Sequence, residues 1–115
     1  MDTRTKIVSA AEAARIAAEG ASSVSGYFDP LLAQHAERLR DLRRPGVPLL
    51  VLIADPEDPI LPIRARAELV AGLAAVDYVA EAAEGLIPNV RLEDEDLRRR
   101  EELIAHVHAR QGAAL

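Results

Sequence analysis

At 115 residues the chain is long enough for one domain with its own core, and half of its residues are hydrophobic. It has no cysteine, which excludes disulfides and thiolate metal sites and points to a reducing, cytoplasmic setting. The formal charge of -5 argues against nucleic acid as a partner, and no apolar run reaches the ~18 residues of a membrane span. The first residues also lack the apolar core of a signal peptide.

Taken in chain order, Ser9 and Glu12 make a Ser-x-x-Glu capping pattern, and Ala13, Ile16 and Ala17 share one face. With Gly20 placed to end it, this spacing predicts a helix over 10–19. Ala21 to Ser25 reads as a short strand of small residues, followed by a turn at Gly26 to Asp29. Leu31 to Leu42 reads as a second helix, with Pro30 at its first turn and Leu31, Leu32, His35, Leu39 and Leu42 at helical spacing. Pro45-Gly46 stops it.

Val47 to Ala54 is an unbroken apolar run, as a central parallel strand covered on both faces requires. Asp55 to Pro59 forms a turn, and Pro62 to Ala75 a third helix. Val76-Asp77-Tyr78-Val79 and Ile87 to Leu92 read as further strands. A charged amphipathic helix closes the chain within 93–112, carrying Leu97, Leu103, Ile104 and Val107 and ended by Gly112.

This alternation predicts a single α/β domain over 1–115. Its sheet is small, parallel and three- to four-stranded, with helices on both faces in a Rossmann-like arrangement. Ligands of such sheets bind at the carboxyl ends of the strands, which here gathers Gly26 to Asp29 and Asp55 at one edge.

The run Gly26-Tyr27-Phe28-Asp29-Pro30-Leu31-Leu32-Ala33-Gln34-His35 resembles the G-x-F-D-x-x-H-x-G-H motif of the cytidylyltransferase-like nucleotidyltransferases, of the heptose-phosphate and glycerol-phosphate type. Leu32 stands where the motif has its first histidine and Gln34 where it has glycine; His35 is retained. The resemblance extends over residues 6–80. Lys6 to Ser9 and the alanine-rich helix match the family's start, and Val51 to Asp55 its apolar strand ending in Asp. Arg66-Ala67-Glu68-Leu69 through Val76-Asp77-Tyr78-Val79 follows its R-A-x-x-L…V-D-x-V pattern. The family's lysine-bearing loop is shortened here to Pro56–Ile63, without lysine, and its lysine-glycine-glycine-aspartate turn and S-T-T-like helix start are missing.

What the resemblance implies is transfer of a nucleotidyl group from CTP or ATP, with magnesium, to a phosphate or phosphosugar acceptor. It assigns His35 as catalytic and Gly26, Tyr27, Phe28, Asp29, Asp55 and Arg66 as nucleotide-binding, and it implies a homodimer packed near the V-D-x-V segment. Each loss at positions 32 and 34 would raise the barrier by roughly 2–4 kcal/mol, because Leu cannot donate to a phosphate and Gln adds bulk.

The same residues have local readings as well. Asp29 can cap the second helix, His35 can be a packed and hydrogen-bonded core residue, Asp55 can begin a turn, and Arg66 can form a surface ion pair. His106 and His108 point to different helix faces and lack a third ligand, so no zinc site is expected. Arg98-Arg99-Arg100 with Glu101 and Glu102, and the run Arg38, Arg40, Arg43 and Arg44, read as solvated helix surface. Two functions follow: a family transferase with weakened or lost activity, or a non-catalytic interaction or regulatory domain on the same scaffold.

Overall fold

The computed structural model describes residues 2–113, and their side chains except at 99, 100 and 106–113. A 3-10 turn, Thr3–Lys6, precedes α1 (Ala10–Ala18), β1 (Ser22–Gly26), α2 (Ala33–Leu42), β2 (Leu49–Ile53), α3 (Ile63–Ala71), β3 (Tyr78–Glu81), β4 (Val90–Arg91) and α4 (Glu93–Ala113). The four strands form one parallel sheet in the order β3-β2-β1-β4. The expected α/β class and small Rossmann-like arrangement are both present.

β2 is central, and all five of its residues are buried. Alternation along the strand sends its side chains to two cores. Leu49, Val51 and Ile53 pack with Leu39 of α2 and Ala67, Val70 and Ala71 of α3, while Leu50 and Leu52 pack with Ala13 of α1 and with Ala80. Helices therefore cover both faces, which is why this strand has no polar position.

β1 is fully buried despite its serines. Their hydroxyls are answered from neighbouring elements: Arg44 donates to Ser22 Oγ at 3.0 Å, the Asn89 N–H donates to Ser23 Oγ at 3.0 Å, and Ser25 Oγ donates to Glu93 Oε1 at 2.5 Å. Tertiary pairing overrides the weak strand propensity of the segment.

Some element ends differ from the sequence expectation. α2 starts two residues late because Leu32 is extended (φ -115°, ψ 164°) and acts as N-cap, which leaves Pro30 outside the first turn. Gly72 caps α3, so residues 73–75 form a turn rather than helix. α4 continues through Gly112 to Ala113. The expected Val107 stripe and the His106 and His108 side chains lie outside the described side chains.

Val76 and Val79 are 1% and 0% exposed, so these two apolar side chains of the V-D-x-V segment offer no surface to the implied homodimer. Asp77 is held inside the chain, accepting from the Leu49 N–H at 2.8 Å and from Arg43 at 2.6 Å. The outer edge of β3 is partly covered as well, by a bridge from Ile7 to Val79.

Leu50→Ala would open a cavity in the α1-side core with little room to collapse. We expect a loss of about 2–5 kcal/mol in a urea titration, with the fold retained at low denaturant.

Candidate functional site

The strand order reverses beside β1. The chain crosses from β3 to the far side of β1 to form β4, so the switch-point crevice of this sheet lies between the carboxyl ends of β1 and β4. β4 pairs Val24 with Val90 and Ser25 with Arg91, and α4 begins two residues later at Glu93. With almost no loop between them, the first turn of α4 falls directly over the turn that follows β1.

Asp96 is the residue this brings into the site. Its carboxylate is 5% exposed and accepts from the Tyr27 N–H at 2.6 Å, the Phe28 N–H at 3.3 Å and His35 Nε2 at 2.5 Å. Phe28 takes a positive φ of 48°, which turns successive N–H groups toward one point. Gly26 makes the close approach feasible, since a Cβ there would stand 2.8 Å from Asp96 Oδ2 and 2.8 Å from the Phe28 ring.

His35 is 2% exposed and sits at the third position of α2. Its Nδ1 accepts from the Leu32 N–H at 2.8 Å, so the Nε2 side carries the proton that goes to Asp96. The ring also meets Phe28 edge-on, with centroids 5.2 Å apart. Leu32 has no polar side-chain atom to cap α2, and His35 instead reaches back to the Leu32 N–H, half of a capping box.

Asp29 does not cap α2. It is 4% exposed and accepts from the Ile60 and Leu61 N–H groups at 2.7 and 2.8 Å, tying the β1 turn to the loop before α3. Arg66 is neither a surface ion pair nor open to a ligand, because its side chain is 0% exposed. It donates to Leu61 O at 3.0 Å, Tyr27 O at 3.0 Å and Ala54 O at 2.8 Å, and pairs with the carboxylate of Asp55. A planar guanidinium can serve acceptors on three segments at once.

Gly26, Tyr27, Phe28, Asp29, His35, Asp55 and Arg66 thus converge at one edge of the sheet, but the side chains of Asp29, His35 and Arg66 are engaged by protein partners. The cavity left beside Asp29, Leu32, His35 and Asp96 is about 10 Å³, the scale of a single water, where small-molecule sites measure roughly 300–1,000 Å³. An open crevice of about 350 Å³ lies next to it, and its walls carry the carboxylates of Asp55, Glu93 and Asp94 against the guanidinium of Arg91. That balance disfavours a triphosphate. No group of three or more metal-binding side chains occurs among the described residues, and no helix among them is long and apolar enough to cross a membrane.

Sequence reasoning missed Asp96. Four consecutive acids, Glu93 to Asp96, satisfy the dipole of a helix start, and that pattern hides which of them turns inward. The usable signal was Leu92 with Asp96, four residues apart and therefore on one face. Compared with protein-family models and with curated proteins, the chain matches none.

Replacing Arg66 by Met would remove the donor to three half-buried carbonyls, at about 1–3 kcal/mol each where water cannot take its place. We expect a loss above about 3 kcal/mol in chemical denaturation, with Arg66→Lys rescuing only part of it because an ammonium lacks the planar fork.

Proposed function

We propose that this chain is a nucleotidyltransferase-like α/β domain whose nucleotide site is closed from within, and that it works as a non-catalytic interaction or regulatory domain. The observation that carries this reading is the Asp96 carboxylate, which engages the Tyr27 and Phe28 N–H groups and His35 together. Nucleotidyl transfer depends on donors and cations placed around the transferring phosphate. Here Leu32 has no donor, Pro56 to Ile63 contain no lysine, and the buried guanidinium of Arg66 is engaged by protein acceptors.

The resemblance over residues 6–80 supports descent from such a scaffold, and the buried His35 and Arg66 support its reuse as framework. Both residues stand at the motif positions of the sequence while their polar groups bind the protein itself. A homodimer remains part of the proposal, although its surface is not the buried Val76 and Val79.

Calorimetric titration of the full chain with CTP and ATP, with and without magnesium, tests this directly. The expected result is no saturable heat up to about millimolar nucleotide, the weak end of the affinity scale. Micromolar binding, or pyrophosphate release in the presence of a phosphosugar, would overturn the closed-site reading.

A further inference from the structure

The connection from β3 to β4 leaves an open crevice on the face of the sheet opposite His35. Ser25 is in register with Leu52 of β2 and with Arg91 of β4, so these three side chains share one face, and Leu52 belongs to the α1-side core. Phe28, which meets the His35 ring, belongs to the other core. α1 packs over β2 and β3, so residues 82–88 rather than a helix wall the ends of β1 and β4 on this face.

The crevice has two lobes that meet at Ala54, Arg91 and Glu93. One, of about 350 Å³, lies beside Tyr27, Asp55 and Asp94. The other, of about 430 Å³, is lined by Leu52, Ala82, Leu86 and Pro88, with Glu84 and the exposed Ile87 at its side. Each has the size of a small-molecule site.

Two charged groups at the junction lack a counter-charge. Arg91 is exposed and forms no ion pair among the described residues. Glu93 is half-buried: its Oε1 accepts from Ser25 Oγ at 2.5 Å, while its buried Oε2 has no hydrogen-bond partner. A buried carboxylate oxygen without a donor carries a free-energy cost that an incoming donor recovers. Ser25 Oγ has given its proton to Glu93 and keeps lone pairs for a further donor.

We propose that this crevice binds a free α-amino acid with a small aliphatic side chain. The ammonium meets Glu93 Oε2 and Ser25 Oγ, the carboxylate meets Arg91, and the side chain lies over Leu52, Ala82 and Leu86. A modest rotation about the terminal torsion of Glu93, which is a soft one, turns Oε2 toward the ligand. A phosphate or a plain carboxylate would face Glu84, Glu93 and Asp94 with only Arg91 to answer it. A plain amine would leave Arg91 unpaired and set a second cation beside it. A zwitterion satisfies both signs. The assignment rests on the non-catalytic reading of the chain, to which it adds a ligand, and the bonds that close the turn after β1 are not part of it.

The test uses the full chain with L-leucine as probe, followed by amide NMR at constant ionic strength. Isopentylamine and isocaproate serve as controls, since they keep the leucine side chain but lack its carboxylate or its ammonium. L-Leucine should bind saturably at about millimolar concentration or below, with the shifts falling at residues 82–87, 91 and 93. Each control should bind at least about tenfold more weakly, the scale of one charge-assisted hydrogen bond. Arg91→Met alters an exposed side chain without an ion pair. It should weaken L-leucine at least about tenfold while isopentylamine binds no more weakly than before. Glu93→Gln should weaken both.

No saturable shift with L-leucine, shifts confined to other residues, a control that binds as well as L-leucine, or an unchanged affinity in Arg91→Met overturns the proposal. If Glu93→Gln does not fold, Arg91→Met decides alone. CTP or ATP binding by wild type defeats the closed-site reading instead, so the two failures are distinguishable.

Discussion

A carboxylate removed from water must be met by donors, and the Asp96 carboxylate is met by two backbone N–H groups and an imidazole. The local form of the molecule follows from that requirement. Phe28 adopts a positive φ, Gly26 omits a side chain, and α2 begins where His35 can bond both Leu32 and Asp96. A change at any of these positions would leave a buried charge with fewer partners, which is why the turn, the start of α2 and the start of α4 behave as one unit.

A second knot supports the first from below. Arg66 binds the carbonyls of Tyr27, Ala54 and Leu61, and Asp29 binds the N–H groups of Ile60 and Leu61. Together they fix the β1 turn against the end of β2 and the loop before α3. The carboxyl edge of a parallel sheet is ordinarily where strand-end loops open toward a ligand. Here the same loops bind one another, and the short step from β4 into α4 places a helix across the opening.

The layered fold was legible in the sequence because its central strand has no polar residue from Leu49 to Ile53 and its first helix carries its own cap at Ser9. β1 was harder to read. Its strand character comes from Arg44, Asn89 and Glu93 answering its serines, which no local propensity encodes. The candidate site was legible as a list of converging residues but not as a set of bonds. Asp29 and Arg66 have the chemistry of ligand-binding groups, and only the positions of Ile60, Leu61, Tyr27 and Ala54 show that the protein itself supplies their partners. Among four adjacent acids only its spacing from Leu92 marked Asp96 as inward-facing, and its role depends on a contact with residues more than sixty positions earlier.

The most direct measurement is hydrogen exchange at the Tyr27 and Phe28 amides in the native full chain. If the Asp96 carboxylate closes this site, both amides are protected well beyond exposed loop positions, and Asp96→Ala, which removes the acceptor, speeds them by about tenfold or more while the β2 amides stay slow. Exchange at Tyr27 and Phe28 as fast as at an exposed loop in wild type, or rates unaffected by Asp96→Ala, would contradict the account.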